Sequence, residues 1–204
     1  PSKKNLNILN IKSIEKSIRK IKPKYLIHLA GLSRPMKIHD KNINDSIDKN
    51  IIGTANITKV CSKFKIKLVY VSTCYVYPGY KGNYSETSSL LPINNYAWSK
   101  LGGESSVIMY KNSLILRASI TEKPFVHKVA FVDFKTNFIF HEDLVPKIIK
   151  VLNHKGILNV GGKSQSVYKF VKKYNKNIKK IYAKKLLGSK APKNISMNIK
   201  KFKK

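Results

Sequence analysis

This sequence predicts an α/β fold, a parallel sheet joined by crossover helices, and three observations carry the prediction. Short apolar runs at 25–29, 67–71 and 114–118 have the length and residue types of buried strands. The stretches before and between them carry helical periodicity, and helix alternating with strand favours parallel pairing. With 204 residues and 42% hydrophobic content, the chain can fill one core, or one core plus a small lobe.

Each element has its own local reason. Ile11, Ile14, Ile18 and Ile21 recur at spacings of 3, 4 and 3, an amphipathic helix over 11–22 with a lysine-rich outer face. Pro23 ends it. A short strand over 25–29 and a long helix over 42–63 lead to the strand at 67–71, which runs into Ser72 and Thr73. Residues 78–92 hold Pro78, Gly79, Gly82, three serines, a threonine and Pro92, and so form a loop. Asn94 or Asn95 then caps a helix that carries Tyr96 and Lys100. Beyond the strand at 114–118 the pattern is irregular. The expected organisation is a partial catalytic domain over 1–120, a small lobe over 121–185, and a polar, mobile basic tail over 186–204.

The chemistry sits in two runs about 20 residues apart, Ser72-Thr73-Cys74-Tyr75-Val76-Tyr77 and Tyr96-Ala97-Trp98-Ser99-Lys100. Tyrosine and lysine at i and i+4 share one helix face. A nearby ammonium favours the phenolate, so Tyr96 can give or take a proton near neutral pH. Thr73, at a strand end, can hydrogen-bond the same reacting oxygen.

Composition excludes several classes. No apolar run reaches the ~18–20 residues of a membrane span, no signal peptide opens the chain, and no His/Cys cluster has metal-ligand spacing. Cys61 and Cys74 stand 13 apart, neither a CxxC pair nor a disulfide framework, which suits a reducing cytoplasm. The net charge is +31, and the chain after Asp143 holds 18 lysines and no carboxylate. That charge attracts polyanions. With no nucleic-acid-binding motif, the attraction is expected to stay nonspecific and the tail to be a by-product of composition.

The paired runs resemble the extended, nucleotide-sugar-modifying branch of the short-chain dehydrogenase/reductase superfamily, and further stretches follow its order. Pro23-Lys24-Tyr25-Leu26-Ile27-His28-Leu29-Ala30-Gly31 looks like the family's fourth strand with the small residues under the cofactor. Asn50-Ile51-Ile52-Gly53-Thr54-Ala55-Asn56 looks like the next helix, and Leu114-Ile115-Leu116-Arg117 like the strand after the catalytic helix. Phe138–Leu144 and Gly156–Gly162 look like landmarks of the substrate lobe. The resemblance covers roughly residues 7 to 170. The glycine-rich turn that opens such enzymes is not in this sequence, where Gly31 is the first glycine. A member lacking its first 40-odd residues is therefore expected, and a start at Pro1 fits a fragment.

The resemblance implies a Rossmann-like domain, N-terminally incomplete, with a small C-terminal substrate lobe. It implies Thr73, Tyr96 and Lys100 as catalytic residues, and Ala30, Gly31, Asn50, Ser72, Tyr96 and Lys100 as contacts for NAD(P). The implied reaction is reduction of a 4-keto nucleotide-sugar, as in the dTDP-4-dehydrorhamnose reductase-like subgroup, in the cytoplasm and with a homodimer as one assembly. The acids that dehydratases of this branch carry after the threonine are replaced by Cys74 and Tyr75, which argues against dehydration. Cys74 itself is one residue out of register with the cysteine of GDP-fucose-forming enzymes and is expected to be buried. A non-catalytic relative serving as a binding or regulatory subunit, or an epimerase, are the alternatives.

Overall fold

A computed structural model describes residues 6–188 and 191–203. Residues 1–5, 189, 190 and 204, which the expected domain and tail ranges include, lie outside the described residues. The chain divides into two compact units. The first takes the chain up to Ser72, Asn94–Leu116 and Leu152–Ile157. The second takes Thr73–Ile93, Arg117–Val151 and the chain from Leu158. Contiguous domains over 1–120 and 121–185 do not describe this arrangement, because the chain passes from one unit to the other within single strands.

In the first unit, α1 (Ile11–Ile21) buries Ile14 and Ile18, as its spacing predicts. Asn10 caps its start by accepting from Ser13 N, and Lys22 closes it in a left-handed conformation before Pro23. Then come β1 (Tyr25–His28), two short turns of helix, α2 (Ile38–Lys41) and α3 (Ile43–Ser46), and a π-helical segment (Ile47–Ile52) that continues into α4 (Gly53–Lys63). The single helix expected over 42–63 is thus one rod wound in two ways. Next follow β2 (Lys67–Thr73), α5 (Asn95–Val107), β3 (Ser113–Ala118) and, much later, β8 (Gly156–Val160). These strands form one parallel sheet in the order β1-β2-β3-β8. Tyr25 stands opposite Lys67 and His28 opposite Tyr70. A core of Ile14, Ile18, Ile57, Val60, Cys61, Leu68, Val107 and Ile115 joins the helices to the sheet. Burying such side chains contributes about 1.5–3 kcal/mol each.

The second unit is built from short pieces: β4 (Ile120–Thr121), β5 (Val129–Phe131), β6 (Lys135–Thr136), β7 (Ile139–Phe140), α6 (His141–Lys150), β9 (Gln165–Ser166), α7 (Val167–Val171), β10 (Lys179–Ile181) and α8 (Ala183–Leu187). Two parallel pairs, β4 with β7 and β5 with β10, and one antiparallel pair, β6 with β9, tie them together. Arg117, itself buried, donates to the Tyr77 hydroxyl at 3.0 Å and to the Glu86 carbonyl at 3.3 Å. The Asn159 side chain accepts from Tyr77 and donates to the carbonyls of Tyr84 and Asn198. Glu86 accepts from Asn159 N at 2.9 Å, so this loop acid fixes the loop.

The expected mobile tail is corrected over 191–198. Ile195 is fully buried and Met197 nearly so, and Ser196 O accepts from Tyr84 N while Lys193 N and Asn194 N both donate to Gly79 O. The buried run Ile195-Ser196-Met197 lies among lysines and asparagines whose polarity masked it. A chain ended after residue 185 is therefore expected to be less stable by roughly 3–6 kcal/mol, the sum for two buried apolar side chains. The midpoint of urea unfolding checks this, and an unchanged midpoint would restore the free tail.

Candidate active site

Helix α5 carries the tyrosine and lysine, and its start is fixed locally. Asn94 is the N-cap, its side chain accepting from Ala97 N at 2.8 Å. Tyr96 lies in the first turn, half-buried, with the buried His39 ring 5.2 Å from its own. His39 Nδ1 shares a 2.7 Å hydrogen bond with Ser46 Oγ, and burial holds the imidazole below its ordinary pKa.

One turn on, Lys100 is only 7% exposed. Its ammonium lies over the Tyr70 ring, 4.1 Å from the centroid. Burial pushes its pKa down from 10.5 to about 7, with the Glu104 carboxylate pulling the other way. Loss of water disfavours the charged form, and one nearby carboxylate restores only part of what is lost. Lys100 therefore changes charge in the physiological range.

Asn50 ties the surroundings together. Its carbonyl accepts from Leu32 N at 2.7 Å, and its amide donates to Leu32 O and to Ser99 Oγ, both at 2.8 Å. Those bonds join the π-helical turn, the segment after β1, and α5. Gly31 must be small here, since a Cβ on it would come within 2.6 Å of Asn50 Oδ1. Ala30 and Gly31 are exposed and line a cavity of about 570 Å³ with Asn7, Ile8, Leu26 and His28. That volume lies within the usual range for a small-molecule site. Ser72 Oγ, at the end of β2, is buried and finds no hydrogen-bond partner among the described residues. An orphaned buried hydroxyl is costly unless something completes it.

Ala30, Gly31, Asn50, Ser72, Tyr96 and Lys100 all belong to the first unit, whereas Thr73 opens the second. Thr73 Oγ1 accepts from Tyr75 N at 3.2 Å, capping the short turn Cys74–Val76. Cys74 is buried, as expected, and burial pushes its thiol up to about 11. Among the described residues no cluster could hold a metal ion, and no helix is long and apolar enough to cross a membrane. Sequence reading passed over His28, Tyr70, Ser99 and Gly103. Two signals pointed to them: a histidine closing an otherwise apolar strand, and a glycine pair inside a helix. A Cβ on Gly103 would stand 2.6 Å from the Tyr70 hydroxyl and 2.7 Å from Asn50 O, so only glycine lets α5 lie this close.

Comparison with known proteins gives a consistent picture. The family model described as the RmlD substrate binding domain matches residues 1–129. Methionine adenosyltransferase 2 subunit beta from Xenopus laevis is 31% identical over 116 residues, 56% of this chain and 34% of that protein. A dTDP-4-dehydrorhamnose reductase from Aggregatibacter actinomycetemcomitans is 26% identical over 157 residues, 76% of this chain and 48% of that protein. The chain thus spans about a third to a half of the length of these curated relatives. Among solved structures, the dTDP-4-dehydrorhamnose reductase of Bacillus anthracis in complex with NADP superposes with a TM-score of 0.85 at 24% identity. It covers 100% of this chain and 82% of that one.

Proposed function

Because the chain belongs to the RmlD substrate binding domain family, we propose that it provides the proton-handling site of an NAD(P)-dependent reductase acting on a 4-keto nucleotide-sugar. The observation that carries this reading is the Tyr96/Lys100 pair on one capped helix, its lysine buried and held at a pKa of about 7. NAD(P)H, when bound, supplies the hydride that adds to the carbonyl carbon.

This chain's residues do the rest. The Tyr96 hydroxyl gives its proton to the carbonyl oxygen as that oxygen gains negative charge, which leaves an alcohol and a tyrosinate to be reprotonated from solvent. Lys100, while protonated, favours that tyrosinate by its charge. Thr73 would polarise the carbonyl by donating its hydroxyl hydrogen, and a donor aimed at a developing oxyanion stabilises it most where water is excluded. For the cofactor, the orphaned Ser72 hydroxyl and the exposed, side-chain-poor backbone at Ala30 and Gly31 fit a polar ligand that approaches closely. Asn50, whose amide already holds Leu32 and Ser99, would serve by fixing that segment.

A second reading is favoured by one observation: several relatives bear the name of a subunit, methionine adenosyltransferase 2 subunit beta. In that reading the same fold binds without turning over. Mixing the chain with NADPH, or NADH, and dTDP-4-dehydrorhamnose, and following the loss of reduced-nicotinamide absorbance, separates the two. Oxidation that needs both components supports the reductase. Binding of either without oxidation, by calorimetry, supports the non-catalytic relative.

A further inference from the structure

Tyr70 has no part in the reduction set out above, yet it meets Lys100 twice. Its hydroxyl donates to the Lys100 carbonyl oxygen at 3.3 Å, and its ring face lies 4.1 Å from the Lys100 ammonium. A cation over an aromatic face is attracted by the ring quadrupole, and more strongly where water is excluded. Both side chains are buried. Next to the Tyr70 ring, the His28 ring stacks at 5.5 Å and 29°. His28 Nε2 shares a 3.0 Å hydrogen bond with Thr54 Oγ1, which holds the imidazole in place. Burial first, and the charge of Lys100 second, push His28 down to about 3, so it stays neutral and adds no repulsion.

The ionisable groups around this cluster are His28 from β1, Tyr70 from β2, and Tyr96 and Glu104 from α5. The π-helical turn and α4 bring the uncharged Asn50 and Thr54. Burial raises the Tyr70 phenol well above its ordinary range, so this ring remains neutral as well. Lys100, pushed down to about 7, rests on an aromatic face.

We propose that Tyr70 is a positioning residue that seats Lys100: the π face of its ring, backed by His28, holds the ammonium one helical turn from Tyr96. A lysine side chain has several free torsions, and an ammonium that wandered would act on Tyr96 only part of the time. The seat attracts the charge without neutralising it, which a second carboxylate would do. The inference rests on Lys100 belonging to the reducing site, and its test needs no turnover.

The test is a titration of Lys100 in the full chain labelled with ¹³C at lysine Cε, its resonance identified by its loss in Lys100→Met. Tyr70→Phe keeps the ring and is expected to leave the midpoint where it stands. Tyr70→Leu removes the π face and is expected to lower the midpoint by about 0.5–1.5 pH units. Because the leucine variant can fail to fold, a second series uses fluorinated phenylalanines at position 70. These keep ring size while weakening its negative face, so the midpoint should fall stepwise with fluorine content. A ring that merely fills space would give a flat series, and that result, or equal shifts in the phenylalanine and leucine variants, overturns the proposal. A chain that oxidises no NADPH yet shows the stepwise fall would leave the seat standing and remove the reductase.

Discussion

Replacing Tyr96 with phenylalanine is expected to lower turnover of a 4-keto nucleotide-sugar by about 10²–10⁴-fold, the usual contribution of a positioned general acid. The substitution removes one oxygen and almost no volume. Tyr96 is half-buried, its ring packed beside His39, and that packing survives. Folding and sugar-nucleotide affinity should therefore change little, and the loss should fall on kcat with KM nearly constant. Such a split marks an interaction made mainly in the transition state. Steady-state kinetics of both forms, with thermal unfolding as a control, check this. Turnover that survives intact would remove Tyr96 from the mechanism.

Lys100→Met is expected to abolish most of the turnover and yet to stabilise the fold at neutral pH. The buried ammonium titrates at about 7 rather than 10.5, a displacement worth about 5 kcal/mol at 1.36 kcal/mol per unit. The sign follows from proton counting. Between about pH 7 and 10.5 the unfolded chain holds the lysine proton and the folded chain has released it, so stability rises with pH across that window. Below about 7 both states are protonated, and the full cost of the buried charge is present. The gain from methionine is therefore largest at and below neutrality and fades toward pH 10.5. The opposing attraction of Glu104 is already contained in that displacement, so its loss is not subtracted a second time. Urea unfolding of both forms across this range measures the effect, and a methionine variant less stable at pH 6 would contradict it. The same titration sets a pH profile. If protonated Lys100 assists Tyr96, reduction by the unsubstituted chain should decline as pH rises through about 7, and the decline should be missing from the residual activity of the methionine variant.

What was legible in the sequence was local. The isoleucine spacing of α1, the asparagine cap at 94 or 95, which falls on Asn94, and the i, i+4 placement of Tyr96 and Lys100 each depend on a few neighbouring residues, and each was within reach. The apolar strands were equally plain, and their parallel pairing, though not their order, followed from the intervening helices. Long-range matters were not legible. Nothing near residue 70 announces that its ring meets a lysine 30 positions later, because that contact depends on Gly103 letting a helix approach a strand. The π-helical turn was hidden for a related reason: it places Asn50 between Leu32 and Ser99, and those partners lie 18 and 49 residues away. Composition misled at the C-terminal end, where lysines and asparagines concealed a buried isoleucine and methionine. The division into units was also out of reach, since no linker marks a boundary that falls inside β2, β3 and β8.

The fastening of the loop after β2 has a consequence for how the chain is made. Residues 77–93 contain no helix or strand longer than an isolated bridge, and the groups that hold them are Arg117, Asn159, and the run from Lys193 to Asn198. A ribosome delivers those partners in that order, the last of them about a hundred residues after the loop itself has emerged. Closure of so long a span is slow, because chain entropy must be lost before any contact rewards it. Throughout that interval the aromatic side chains of Tyr77 and Tyr84, which finish stacked 5.0 Å apart, stay open to other chains and to chaperones. The nascent protein thus carries an adhesive segment whose clasp follows only about a hundred residues later.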